Sequence, residues 1–377
     1  METPFIFGKL ASGDDFTNRT VEIIRLKNNF LSGINTIMIS PRRWGKSSLV
    51  EKAACEIAAE DKNIKIISID LFNVRSEEDF FRNLAEQVIR GTTTKLQEII
   101  SFTKEFFKQW IPRISFSPDH VQEFSLGLNW SEVKRQPDEI LDLPQQIAKS
   151  KGWKIIVCID EFQNIGFYHD AVGFQKQLRS HWQQQQDVSY CLFGSKRSML
   201  MQVFTSPSMP FYKFGDLMFL EKITTNDWEK FITARFRATG KEIEPEQSSM
   251  IAALVDNHPY YVQQLAQLCW LRCDQKMTNE VIDQALDALV MQLSLLFQNL
   301  TESISTTQVN YLRAMIRDET RFSSKETIRK YQLGTSANVS RIKKALTERE
   351  IIDTINGTGE FTDPVFKIWL KNYYFPE

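Results

Sequence analysis

One stretch of the chain constrains its fold more than any other. Thr36-Ile37-Met38-Ile39 is a short β-favouring apolar run, the loop Ser40-Pro41-Arg42-Arg43-Trp44-Gly45-Lys46-Ser47 follows it, and Leu49-Val50-Glu51-Lys52-Ala53-Ala54 then supplies helix formers at helical spacing. Strand, loop and helix in that order form the context in which G-x-x-x-x-G-K-[ST] has meaning, and the loop matches that pattern with Ser40 in place of the first glycine. Backbone N–H groups of such a loop, with the N-terminus of the helix, can cradle phosphate oxygens. Lys46 is then placed to reach β and γ phosphates and the Ser47 hydroxyl to ligate Mg²⁺, each role requiring that residue type.

The rest of the first half repeats the alternation. A second apolar run, Ile64–Asp70, precedes a helix predicted from Ser76 with Phe80, Phe81, Leu84, Val88 and Ile89 on one side. Trp153–Asp160 and Ser189–Gly194 read as buried central strands, so strands alternate with helices and the sheet is expected to be parallel. Between Gly91 and Gly152 the pattern changes to a polar-aromatic helix through Trp110, then Ile114-Ser115-Phe116 and Phe124-Ser125-Leu126 about a Pro118-Asp119 turn, which predicts an inserted hairpin. After about Leu220 helices dominate, with Trp228, Phe231, Ile232 and Phe236 in one stripe behind Thr224-Thr225-Asn226-Asp227. Past Thr301, helical segments Thr307–Ile316, Ser324–Tyr331 and Ser336–Arg349 precede Ile351-Ile352-Asp353 and Glu360-Phe361-Thr362, which flank the turn Asn356-Gly357-Thr358-Gly359. Three helices and a hairpin describe a winged helix.

The expected organisation is an α/β core over 1–220 with an insertion at about 91–150, a helical lid over 221–300 and a winged helix over 301–377. Composition narrows the class. The 46 Lys and Arg balance 47 Asp and Glu, which argues against a chain built as a whole to coat nucleic acid or anionic lipid. Five cysteines without a C-x-x-C pair give neither a disulfide framework nor a zinc site. Met1-Glu2-Thr3-Pro4 has no basic leader, and no run of ~18 apolar residues follows, so a cytoplasmic protein with no membrane partner is expected.

A second chemical signal is Asp160-Glu161 at the end of an apolar strand. A carboxylate at the C-terminal edge of a parallel sheet can face a phosphate loop on the same edge, so Asp160 is a candidate Mg²⁺ ligand through water. Glu161 is a candidate general base for an attacking water. His120, His169 and His181 lack companions at metal-ligand spacing.

With these motifs in place, the chain resembles the AAA+/STAND P-loop ATPases, and among them the archaeal-ATPase type that also occurs in bacteria. The residues that carry the resemblance are Phe5-Ile6-Phe7-Gly8, Phe16-Thr17-Asn18-Arg19, Pro41-Arg42-Arg43 running into Gly45-Lys46-Ser47-Ser48, Asp160-Glu161-Phe162-Gln163, Phe193-Gly194-Ser195, His258-Pro259-Tyr260-Tyr261-Val262-Gln263, and Phe361-Thr362-Asp363-Pro364-Val365-Phe366 with Trp369. The resemblance implies a P-loop NTPase fold and ATP as substrate with Mg²⁺. It implies that Phe16 and Arg19 lie on the adenine side, that Arg42, Arg43 and Trp44 join Gly45 through Ser48 around the nucleotide, that Ser195 with Arg197 senses the γ-phosphate, and that His258-Pro259 closes on the nucleotide.

The terminal segment points two ways. Residues 301–377 hold 12 Lys and Arg against 10 Asp and Glu, a small excess, yet Arg341, Lys343 and Lys344 share one helix with Lys325, Arg329 and Lys330 on the helix before. DNA contact and packing on protein both fit. The function these residues predict is an ATP-hydrolysing switch that couples ATP or ADP to DNA, a partner protein or further copies of itself. A slowly turning nucleotide-dependent DNA-binding regulator, or a mobile-element or defence factor, is the alternative.

Overall fold

The computed structural model describes residues 3–11, 13–93, 113–116, 124–127, 137–354 and 359–376. Two compact units emerge, Arg19–Glu221 and a second made of Met1–Asn18 with Lys222–Glu377.

In the first unit, helix α1 (Thr20–Leu31) precedes strand β1 (Thr36–Ile39), α2 (Lys46–Glu60), β2 (Ile64–Asp70) and α3 (Glu77–Thr92). The Ser76 side chain caps α3 by accepting from the Asp79 N–H, as a serine before an acidic first turn should. Strands β3 (Arg113–Phe116) and β4 (Phe124–Gly127) pair antiparallel, with Ser115 opposite Ser125. The segment through Trp110 and the Pro118-Asp119 turn lie outside the described residues. Helix α4 (Pro137–Lys151), β5 (Lys154–Asp160), a 3₁₀ turn over Phe162–Phe167, α5 (Ala171–Trp182), β6 (Val188–Gly194), α6 (Arg197–Thr205) and β7 (Asp216–Phe219) complete the unit.

The sheet is parallel, in the order β2-β5-β6-β1-β7. Strand β7 was not foreseen, because Asp216-Leu217-Met218-Phe219 is short and opens on an acid. Its carboxylate is used: Arg25 donates to Asp216 through Nε at 2.8 Å and Nη2 at 2.5 Å, and Asn29 adds a bond of 2.8 Å. Helix α4 buries Ile140, Leu141, Leu143, Ile147 and Ala148 in the core of this unit. An aromatic cluster fills the same core, with Trp182 stacked on Tyr190 at 4.1 Å between ring centroids.

In the second unit, α7 (Thr225–Ala238), α8 (Pro245–Leu254), α9 (Pro259–Arg272) and α10 (Asn279–Glu302) lead into α11 (Thr306–Ile316), α12 (Lys325–Lys330) and α13 (Ser336–Glu348). Strands β8 (Ile352–Asp353) and β9 (Glu360–Phe361) pair antiparallel, and α14 (Pro364–Trp369) follows. The three helices and the hairpin predicted past Thr301 are therefore present; the turn residues Asn356, Gly357 and Thr358 lie outside the described residues. Phe5 is buried against Phe236, 5.7 Å between centroids, so the N-terminal segment is part of this unit's apolar core. Among the described residues, no helix is long and apolar enough to cross a membrane.

Candidate nucleotide-binding site

The loop between β1 and α2 is bent by two residues in the left-handed region, Arg43 at φ 62° and Gly45 at φ 85°. Glycine takes that conformation without a Cβ penalty, so Gly45 can cap α2 and let the helix begin at once with Lys46. Ser40, which stands where the motif has its first glycine, does not need glycine: its φ is not positive, it is buried, and its hydroxyl donates to the Pro41 carbonyl at 3.2 Å. Arg42 and Arg43 are exposed, Trp44 and Ser47 half-buried, Ser48 buried.

Lys46 is only 6% exposed. Its ammonium donates to the carbonyls of Ser40 at 3.3 Å and Pro41 at 3.0 Å, which holds a positive charge inside the loop. Ser47 donates to Asp160 Oδ2 at 2.7 Å, and the Glu161 N–H donates to Asp160 Oδ1 at 2.7 Å. Burial pushes the Asp160 carboxyl up from its ordinary value, and these two bonds pull it partly back. Strand β5 is not next to β1, since β6 runs between them. Contact is made because Ser47 sits on the first turn of α2, above the sheet's C-terminal edge, where Asp160 also emerges.

Glu161 has φ 53°, a left-handed conformation that turns the chain sharply after β5. Its Oε2 accepts from the Ser195 hydroxyl at 3.0 Å and from Gln163 Nε2. Ser195 follows β6, so the ends of β5 and β6 meet at this carboxylate. Arg197, the first residue of α6, lies over the Phe219 ring, 5.7 Å from guanidinium carbon to centroid.

Arg19 is almost wholly buried, and its guanidinium donates to Glu22 Oε1 at 3.0 Å and to the Glu221 carbonyl at 2.6 Å, with the Trp44 carbonyl at 3.5 Å. Burial lowers its pKa against the opposing effect of Glu22. It thus touches the phosphate loop through main-chain atoms. Phe16, His258 and Pro259 belong to the second unit. There Pro259 is the first residue of α9, where its missing N–H costs nothing, and His258 caps that helix with its ring 5.0 Å from Tyr261. Arg235 of the same unit pairs with Asp15 at 2.8 Å.

Sequence reasoning quoted Gln163 only as part of the run Asp160-Glu161-Phe162-Gln163 and gave it no role, and it did not find the Arg19–Glu221 contact. For Gln163 a signal existed, a polar amide between Phe162 and Ile165 in a buried turn. For Arg19 there was none, because the acceptor is a backbone carbonyl 202 residues away.

A family described as a probable winged helix domain matches residues 295–372, beginning inside α10. No curated protein matches the chain by sequence. Among solved structures, the Walker-type ATPase PABY2304 of Pyrococcus abyssi is similar over 98% of this chain and 99% of its own, with 18% identity and a TM-score of 0.68. The ORC2 protein of Aeropyrum pernix, solved as ADPNP–ADP complexes, is similar over 96% and 94%, with 15% identity and a TM-score of 0.55. The ORC1 protein of the same organism in complex with DNA covers 94% and 90%, with 14% identity and a TM-score of 0.50. The chain therefore has the fold of the archaeal Walker-type ATPases, a parallel-sheet P-loop core, and it ends in a winged helix domain.

Proposed function

We propose that this protein binds and hydrolyses ATP with Mg²⁺ and uses the nucleotide state to control a partner, DNA being the partner its winged helix best suits. One observation carries the reading: Ser47, Asp160, Glu161 and Ser195, drawn from three segments of the chain, are joined by direct hydrogen bonds on one edge of the sheet, and Lys46, next to Ser47, is held by carbonyls of the same loop. An isolated basic turn, or a strand ending in solvated acids, would not require that convergence.

The roles follow from the donors. Lys46 already holds carbonyl oxygens, and phosphate oxygens of greater charge can replace them. Ser47 and Asp160 offer the hard oxygen ligands that Mg²⁺ prefers, so this donor set fits the ion and would hold it. Bound there, Mg²⁺ would neutralise phosphate charge. In hydrolysis the oxygen of water bonds to the γ-phosphorus, the bond to the ADP oxygen breaks, and the water's proton passes to Glu161. Arg197 and Ser195 are assigned to the γ-phosphate side, Phe16 and Arg19 to the adenine side, and His258 with Pro259 to lid closure, on the resemblance alone.

The division into core to 220, lid over 221–300 and winged helix over 301–377 belongs to the same reading. Support for DNA comes from the winged helix match and from a similar structure solved with DNA. The test is ATP titration and steady-state phosphate release on the full chain, wild type beside Lys46→Ala. Binding and turnover in the wild type, both lost in the variant, are expected. An unaltered Lys46→Ala protein would overturn the site.

A further inference from the structure

Gln163 is buried to 1% exposure, yet only one end of its amide is used. Nε2 donates to Glu161 Oε2, while Oε1 has no hydrogen-bond partner. The orientation is dictated by chemistry, because a carboxylate can only accept and the amide end facing it must be the donor. The unpartnered Oε1 sits where a side chain on Gly194 would be: a Cβ there would come within 1.9 Å of Oε1, 3.0 Å of Cδ and 3.2 Å of the Glu161 Cα. The last residue of β6 thus provides a seat for the Gln163 amide, and the next, Ser195, provides the second donor to the same carboxylate oxygen at 3.0 Å.

An unpaired buried acceptor is unfavourable, and Gln175, Gln263 and Gln264 each carry one as well, so what sets Gln163 apart is the partner of the bond it does make. Here the one bond made goes to the residue assigned as base. We infer that Gln163 is a positioning residue for hydrolysis, which with Ser195 fixes Oε2 of Glu161 and leaves Oε1 as the oxygen that takes the proton of the attacking water. The inference rests on Glu161 being that base. It gives Gln163 no contact with nucleotide, so losing it should affect turnover and leave binding alone.

The experiment compares full-length wild type with Gln163→Met, Gly194→Ala, Gln163→Ala and the Gln163→Ala/Gly194→Ala double variant. It measures phosphate release over a range of ATP, fluorescent-ADP affinity without metal, and thermal unfolding. Methionine keeps the volume and removes the donor. Gln163→Met is expected to lower kcat about tenfold or more, with KM and ADP affinity within about twofold, because only the base has been released. Gly194→Ala should reproduce that defect by displacing the amide. It should add much less to Gln163→Ala, in which the seat is vacated, than it costs in the wild type, the remainder coming from its 3.2 Å approach to the Glu161 Cα. Wild-type kcat in Gln163→Met, loss of ADP affinity in step with kcat, or additive defects would each overturn the inference. Glu161→Gln, run in parallel, separates the two levels. Slow Glu161→Gln beside fast Gln163→Met removes only the positioning role, whereas fast Glu161→Gln removes the base and this inference with it.

Discussion

The Ser47 hydroxyl and the Asp160 carboxylate are 113 residues apart in sequence and 2.7 Å apart in space, and the strand of one is not hydrogen-bonded to the strand before the other. The link spans β6, and it is what brings the phosphate loop and the acidic strand end together. Ser47→Ala should therefore weaken Mg·ATP binding by about tenfold or more while leaving metal-free ADP affinity within about twofold, since it removes a metal ligand and spares Lys46. Titrations with and without EDTA check this, and equal losses in both would place Ser47 in the fold and not at the ion.

Glu161→Gln should retain ATP affinity and slow hydrolysis by about 10²-fold or more. Glutamine keeps the length of the side chain and can still accept from Ser195 and Gln163, so only the proton acceptor is lost. Single-turnover phosphate release beside equilibrium binding makes the measurement. A variant with the wild-type rate would mean that another group orients the water.

The parts of this arrangement legible beforehand were those written in local pattern. The apolar runs at 36–39, 64–70, 155–159 and 189–194 announced four strands, and Gly45-Lys46-Ser47 announced the loop, because each depends on neighbours in sequence. Strand β7 escaped because four residues opening on aspartate carry little β signal; its place is set by pairing with β1, Ile37 beside Leu217. The partners of Gln163 and Arg19 escaped for a related reason. Only the folded sheet supplies them, a carboxylate held also from β6 and a carbonyl at Glu221.

Arg19→Ala should destabilise the first unit by about 1–2 kcal/mol, because a buried guanidinium is removed and the Glu221 carbonyl loses a charged donor in a partly buried setting. Arg19→Lys should recover only part of this, since an ammonium cannot present the guanidinium fork to Glu22 and two carbonyls together. Urea unfolding read from buried tryptophan fluorescence is suitable, Trp182 lying in that unit's core. Equal stability of wild type and Arg19→Ala would show that the contacts contribute nothing net.

The Arg25–Asp216 pair gives a pH dependence whose sign is fixed. Hydrogen bonds from Arg25 hold the Asp216 carboxyl below its ordinary value, with Asn29 assisting. A carboxylate lowered on folding stabilises above its unfolded pKa, near 3.9, and the stabilisation is lost as pH falls through the lower folded value. Arg25 is about half exposed, so solvent screening keeps the effect to roughly 1 kcal/mol or less. Asp216→Asn should be less stable than wild type at pH 7, and the gap should close by about pH 2. A gap that widens on acidification would contradict the pairing.

The last prediction concerns α13 and separates its cations by burial. Arg341 and Lys344 are exposed, whereas Lys343 is half-buried, so the three do not form one uniform face. Val339, Ile342 and Leu346 turn inward, which leaves Ala337, Ser340, Arg341 and Lys344 outward, a surface small enough to approach a groove and charged enough to meet phosphate. Lys344 also lies 3.8 Å from Glu348, a pair exposed enough to be weak and to open when a phosphate arrives. If α13 meets DNA, replacing Arg341 and Lys344 by alanine should flatten the log–log salt dependence of duplex binding by about two units, at roughly 0.9 per phosphate released, while Lys343→Ala changes it by much less. If the helix faces protein instead, both variants should leave the slope unchanged and alter ATP turnover or oligomer size. Fluorescence anisotropy across a salt series, with sedimentation of the same samples, decides between them. Absence of wild-type binding at low salt would remove DNA from the function altogether.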